Sequence, residues 1–204
     1  NGGMTFLRIT DDGCGMEPVD ARTAFLRHAT SKIRKKEDLA CIGTLGFRGE
    51  ALAAISSVSK IDLLTRAQGA ENGVRLHLEA GQVLSEEPAG CPCGTTILVR
   101  ELFYNTPARM KFMKSDAAES SAVFSVVQQQ ALAHPEISFR FLKDGQEQLH
   151  TDGQGDRMAA IYAIYGRELA NNMLPVDGSW ETPFTFLTWA TVQPSMSPVP
   201  MTCW

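Results

Sequence analysis

Apolar residues alternate through residues 4–10, with Leu7 and Ile9 on one face, and the alternation stops at Asp11-Asp12-Gly13-Cys14-Gly15. That pattern predicts a strand running into an acidic, glycine-bearing turn. Glu17-Pro18 opens a helix reaching to about Arg27, with the proline at a first-turn position where its missing N–H costs nothing. Residues 28–49 break the periodicity: His28, Lys32, Arg34, Lys35, Lys36 and Arg48 are interspersed with Gly43, Gly46 and Gly49. A long basic stretch punctuated by glycine suits a loop folding over something anionic better than a core element. Periodicity resumes with an alanine-rich helix over 50–57 and a strand over 60–66. A hairpin over 73–84 comes next, in which Val74, Leu76 and Leu78 alternate before a turn at Gly81-Gln82, and then a strand over 94–100.

In the second half, Ser115 or Asp116 caps a helix that continues to His134 and is stopped by Pro135, with Phe124, Val127 and Ala131 on one face. Segments 137–143 and 146–151 flank Asp144-Gly145, a two-residue hairpin signal. Asp152-Gly153-Gln154-Gly155 reads as a linker, and a helix over 157–165, ended by Gly166, opens the segment beyond it. The expected division is therefore one domain over 1–152 and the beginning of a smaller one over 153–204. The tail differs in composition: no Lys or Arg follows Arg167, and Trp180, Trp189 and Trp204 all lie there.

Composition narrows the classes. With 204 residues, 44% hydrophobic and 21% charged, the chain is long enough to bury a core. A net charge of −4 gives no global field toward DNA or an acidic membrane, so any nucleic-acid contact must be local or assembled with a partner. The five cysteines are odd in number and scattered, and Cys91-Pro92-Cys93 lacks the two-residue gap of a zinc or redox pair, so they read as reduced cytosolic thiols. No apolar run approaches the ~18 residues of a membrane span. His28 has no partner at metal-ligand spacing, and no metal site is expected from the residues themselves.

Two stretches carry candidate chemistry. At 9–16 a carboxylate ends a strand beside two glycines, where it could take a hydrogen bond from an amine while the glycines admit a flat ring; taken alone, a tight acidic turn is the favoured reading. At 43–52 a glycine loop, Gly43-Thr44-Leu45-Gly46-Phe47-Arg48-Gly49, leads straight into a helix. Helix N-termini present free N–H groups and partial positive charge, which suits a polyphosphate. The spacing is neither a P-loop nor a dinucleotide fingerprint, and a flexible connection is the alternative. Taken singly, Lys32 and Lys35 read more often as solvated charges, Phe47 as core and Thr95 as an ordinary strand residue, and Glu50 could be merely a favourable first-turn acid.

Taken together and in order, Asp11 with its glycines, His28-Ala29-Thr30-Ser31-Lys32, the glycine loop and Gly94-Thr95-Thr96 resemble the MutL family of DNA mismatch-repair ATPases, within the GHKL superfamily. Phe103-Tyr104-Asn105-Thr106-Pro107-Ala108-Arg109-Met110-Lys111-Phe112 resembles a signature that the gyrases and histidine kinases of that superfamily lack. The resemblance runs from the first strand to about residue 180. It implies a GHKL-type α+β sandwich: a mixed, mainly antiparallel sheet with helices on one face and a nucleotide pocket between sheet and lid.

It also implies roles, residue by residue. Asp11 would bond the adenine amino group, Gly13 and Gly15 would make room for the base, and Thr95 would support the base contact, with water between. Thr30 and Lys32 would reach the phosphates, and Gly46, Phe47, Arg48, Gly49, Glu50, Ala51 and Leu52 would form the backbone cradle. The implied cofactors are ATP and Mg²⁺. The implied partners are a mismatch-recognition protein, downstream repair enzymes, a second subunit, and DNA in the groove of the dimer, in a cytoplasmic setting.

The family's water-activating glutamate and magnesium-holding asparagine lie on an upstream helix, and Asn1 is not that asparagine. No catalytic residue is therefore assigned among these 204, and negligible turnover is expected. The start at Asn1, directly before an apolar strand, is expected to reflect missing upstream sequence. From about Pro183 the tail departs from the family, as a reading-frame shift or a truncated gene model would cause. Two rival functions stand beside the ATPase: a non-catalytic, nucleotide-gated interaction module, and another GHKL protein such as a histidine kinase, which needs an upstream phospho-accepting helix.

Overall fold

A computed structural model describes residues 2–29, 49–179 and 185–191, with side chains described as far as Met173. The described chain divides into two compact units, one ending at Ser121 and the next beginning at Ala122.

The first unit is built on five strands: β1 (Phe6–Asp11), β2 (Lys60–Arg66), β3 (Gly73–Glu79), β4 (Gln82–Ala89) and β5 (Gly94–Arg100). Their spatial order is β1-β5-β2-β3-β4, and each ladder between them is antiparallel. Period-2 alternation sorts the residues into two faces. Ile61, Leu63 and Thr65 of β2 pair with Leu78, Leu76 and Val74 of β3 and with Val99, Ile97 and Thr95 of β5. This face is covered by Ala21 of α1 (Pro18–Thr23), by Phe25 just beyond it, and by Leu52 of α2 (Ala51–Ser56), which close the core over Ile61, Leu63, Leu76 and Leu78. Burying four such side chains is worth about 1.5–3 kcal/mol each, the main stabilising contribution here.

The opposite face of the sheet mixes polar residues with Leu64 and Leu98. Asp62 is buried there and accepts from Arg75 at 3.3 Å and from Arg100, with His77 Nδ1 at 3.1 Å. Burial pushes its pKa up, but the hydrogen bonds from His77 and Arg75 and the charge of Arg100 outweigh it and hold the pKa below the ordinary 3.8. Below 3.8 the unfolded chain takes up a proton that the folded chain still refuses. The stabilisation is thus present above pH 3.8 and lost as pH falls through the lower folded value. Asp62→Asn is expected to cost about 1–3 kcal/mol at neutral pH. Urea midpoints should show that difference shrinking as the pH is lowered below 3.8; a difference that stays constant contradicts this reading.

Several elements differ from the expected bounds. β1 runs one residue further than the alternation predicts, so Asp11 is the last paired strand residue rather than part of the turn. α1 ends at Thr23 instead of about Arg27, and His28 takes a left-handed φ of 64°. The β3–β4 turn is Ala80-Gly81, with φ of 49° and 80°, and β4 continues to Ala89. A four-residue helix, α3 (Pro107–Met110), lies within the signature stretch.

In the second unit, the Phe124 ring, on the long helix α4 (Asp116–Ala133), packs 5.3 Å from that of Phe141, and Ala131 is buried, as the expected apolar face requires. β6 (Arg140–Lys143) and β7 (Gln146–His150) turn at Asp144-Gly145, both at positive φ. α5 (Arg157–Asn171) does not stop at Gly166: that glycine, at φ 81°, ψ 173°, is a kink beyond which the helix resumes. β8 (Met173–Ser179) and β9 (Thr185–Thr191) form a further antiparallel pair that periodicity did not announce. The remainder of the tail after Pro183 lies outside the described residues. None of the described helices is long and apolar enough to cross a membrane.

Candidate functional site

Asp11, Thr95 and Thr65 form a straight row across β1, β5 and β2 on the helix-covered face, because Asp11 pairs with Thr95 and Thr95 with Thr65. Cross-strand neighbours in such a row have Cβ atoms about 5 Å apart. On β1, β2, β3 and β5 the other positions of this face carry apolar side chains, so three polar residues in register at one end of it mark a polar floor.

Asp11 is exposed, and its Oδ1 accepts the Gly13 N–H at 3.0 Å. This self-closed turn fixes the carboxylate and leaves Oδ2 with no partner among the described hydrogen bonds. Thr65 is fully buried; its hydroxyl donates to the Gly94 carbonyl at 2.9 Å, accepts from the Met16 N–H at 3.0 Å and lies 3.1 Å from Thr95 Oγ1. Cys93 closes the neighbourhood by donating its thiol to the Gly13 carbonyl at 3.4 Å; Cys14, Cys91 and Cys93 are all free thiols.

Gly15 has a more demanding task than making room for a ligand. It sits at φ +67°, and a Cβ there would lie 1.9 Å from the Arg66 carbonyl oxygen. Only a glycine lets the loop after β1 cross the end of β2, where Gln68 N–H donates to the Cys14 carbonyl at 2.9 Å.

The second stretch is partly described. Thr30, Lys32, Gly46, Phe47 and Arg48 lie outside the described residues. Gly49, at φ +61°, approaches Ala29 so closely that a Cβ would stand 2.1 Å from its carbonyl oxygen. Beside it His28 Nδ1 lies 3.4 Å from Glu50 Oε1. The flanks of residues 30–48 therefore meet at one place. Glu50 stands at the N-cap of α2 without a side-chain cap bond, so the first N–H groups of that helix have no side-chain acceptor from it. Leu52 packs its side chain against the same core cluster as Leu7 and Ile97, leaving its backbone to any ligand.

The signature stretch serves local structure. Glu101 and Phe103 take left-handed φ of 52° and 67°, Phe103 N–H donates to the Val58 carbonyl at 2.7 Å, and Asn105 Nδ2 donates to the Ser57 carbonyl at 2.9 Å. The turn after β5 is thereby tied to the end of α2. Two surface cavities are defined elsewhere, one of about 410 Å³ beside Met4, Tyr104, Met110 and Met113, the other of about 360 Å³ over Asp62, Arg75 and Arg100; neither includes Asp11 or Thr95. Along the row exposure falls from Asp11, which is exposed, through the half-buried Thr95 to the buried Thr65. Ile9, on the same face of β1, is 57% exposed. Among the described residues no group of three His, Cys, Asp or Glu could hold a metal ion.

An antiparallel sheet helix-covered on one face, with a carboxylate and glycine turn at the end of an edge strand, is the arrangement of a GHKL-type ATPase domain. Residues 2–89 match the family described as "Histidine kinase-, DNA gyrase B-, and HSP90-like ATPase". The DNA mismatch repair protein MutL of Agathobacter rectalis is 48% identical over 175 residues, covering 86% of this chain and 27% of that protein. MutL of Symbiobacterium thermophilum is 51% identical over 177 residues, covering 86% and 28%. The Aquifex aeolicus MutL ATPase domain, solved in complex with ADP, superposes with a TM-score of 0.65 at 27% identity, covering 85% of this chain and 60% of that one. Over 86% of its length the chain is similar to MutL proteins. It spans little more than a quarter of the length of those two curated relatives.

Proposed function

We propose that the chain is the ATP-binding region of a MutL-like DNA mismatch repair protein, in which ATP acts as a conformational switch. The observation that carries this reading is the Asp11–Thr95–Thr65 row, with one oxygen of the exposed Asp11 carboxylate fixed by Gly13 and the other without a partner among the described residues. Asp11 takes the adenine amino group and Thr95 supports the base. Gly13 and Gly15 keep the loop flat against it, and Gly49, Glu50, Ala51 and Leu52 offer backbone N–H groups to the phosphates. Thr30, Lys32, Gly46, Phe47 and Arg48 complete the phosphate side in this proposal. The ADP bound to the Aquifex aeolicus domain supports the ligand class.

Mg²⁺ accompanies the nucleotide in the proposal, but the described residues do not build a metal centre, and no step is assigned to it. ATP would bind the closed state of the lid better than the open one, and that difference in affinity is what drives the switch. The ATPase domain is assigned to 1–152 and the beginning of the next to 153–204. A second subunit, a mismatch-recognition protein, downstream repair enzymes, DNA along the dimer groove and a cytoplasmic location belong to the same proposal. The 204-residue chain itself turns over negligibly, because no position matches the family's activating glutamate or its asparagine.

Displacement of a fluorescent ATP analogue by unlabelled ATP tests the proposal. Saturable, displaceable binding with phosphate release at background is expected. No binding at millimolar ATP would leave the interaction-module reading, and release at family-like rates that Asp11→Asn abolishes would overturn the assignment of negligible turnover.

A further inference from the structure

We infer that Thr65, buried one strand away from the proposed base contact, is a positioning residue that makes the site select a 6-amino purine over a 6-oxo purine. This selectivity presupposes the nucleotide site proposed for Asp11 and Thr95, and its physical basis is a count of protons.

A threonine hydroxyl has one proton and two lone pairs. Thr65 Oγ1 meets three groups, two of them with fixed polarity: the Gly94 carbonyl can only accept, and the Met16 N–H can only donate. The Thr65 proton is therefore committed to Gly94, and one lone pair to Met16. All three contacts are satisfied only if Thr95, 3.1 Å away, donates its own proton to the remaining lone pair. Thr65 is then saturated and Thr95 has no proton left to offer outward. Toward the ligand, Thr95 is an acceptor only.

Its register neighbour Asp11 is also an acceptor, with Oδ2 unpaired among the described residues. Two adjacent acceptors suit an exocyclic amino group, which brings two N–H donors. A water held by Thr95 gives it one proton and has its other left for an acceptor, as N1 of adenine is. Hypoxanthine reverses both positions: it presents a carbonyl oxygen at C6 and an N–H at N1. A site with a free hydroxyl at Thr95 could rotate its proton to suit either base; Thr65 removes that freedom. A reversed polar group adds like-polarity repulsion to the lost hydrogen bond, so it discriminates more strongly than an absent one.

The test is competitive binding of ATP, inosine triphosphate and purine riboside triphosphate to the unmodified chain, Thr65→Val and Thr65→Ser, with thermal unfolding measured alongside. In the unmodified chain the expected order of affinity is ATP, then the purine analogue, then inosine triphosphate, because a reversed group costs more than an absent one. In Thr65→Val, Thr95 regains its proton and the ATP-to-inosine ratio falls by about tenfold, the equivalent of one hydrogen bond. Thr65→Ser keeps the hydroxyl and retains the ratio within about twofold. A purely structural role for Thr65 would weaken both nucleotides alike.

An unchanged ratio in a folded Thr65→Val, or inosine triphosphate binding the unmodified chain as well as ATP, overturns the inference and leaves the nucleotide site standing. The second result is readable even if Thr65→Val does not fold. Failure of the unmodified chain to bind any of the three overturns the nucleotide reading and this inference with it.

Discussion

Gly15→Ala is expected to destabilise the first unit by at least about 3 kcal/mol, a large share of the 5–15 kcal/mol that a domain of this size has to lose. Two costs add. An alanine held at φ +67° carries about 1–2 kcal/mol of left-handed strain, and its Cβ would stand 1.9 Å from the Arg66 oxygen and 2.5 Å from the Arg66 carbonyl carbon. That contact is with backbone at the end of β2, which cannot swing away as a side-chain tip would. Relieving it must pull the loop off β2, breaking the Gln68–Cys14 bond and the Met16 N–H bond to Thr65. Gly69 supplies the control: it too has a positive φ, of +85°, but no atom lies within 4 Å of a Cβ built on it. Gly69→Ala should cost only the conformational part. Equal urea midpoints for the two variants would show that the crossing at Arg66 is not as tight as described.

Asp11→Asn should leave the fold intact while weakening ATP binding by roughly 10- to 150-fold, the equivalent of 1.5–3 kcal/mol for a hydrogen bond to a charged group. The asparagine carbonyl can still accept the Gly13 N–H, and asparagine is a good residue for this kind of turn. The outer atom is the one that changes. Oδ2, an acceptor, becomes an amide NH₂ that confronts the adenine amino group with a second donor. Calorimetric titration alongside thermal unfolding separates the two effects. Unchanged affinity, or lost affinity accompanied by unfolding, would contradict the role given to Asp11.

How much could be read from the chain depended on how far each feature was local. β2 and β5 have the bounds that alternation predicts, since apolar positions mark them throughout. β4 was legible only in its first residues, because Glu86, Glu87 and Pro88 interrupt the pattern; a sheet edge tolerates a proline that an inner strand would not. Gly166 reads as a helix stop from sequence, yet the chain uses its freedom for a kink and continues. The proposal for Asp11 and Thr95 starts from the acid-glycine turn and the family resemblance. Their adjacency is a matter of register, which links residues more than eighty positions apart. Thr65 was missed altogether. Its signal was present, a hydroxyl on the face that Ile61 and Leu63 bury, but its meaning depends on three partners supplied by β5 and by the loop after β1.

The central claim is that adenine lies against the Asp11–Thr95 end of the sheet. Amide chemical shifts of the isotope-labelled chain titrated with ADP test it most directly. The account predicts saturable shifts concentrated at Asp11, Gly13, Gly15 and Thr95 and at the backbone of Glu50, Ala51 and Leu52. Shifts centred instead on the Met110–Met113 cavity or on the Asp62 face, or no shifts at saturating nucleotide, would contradict it.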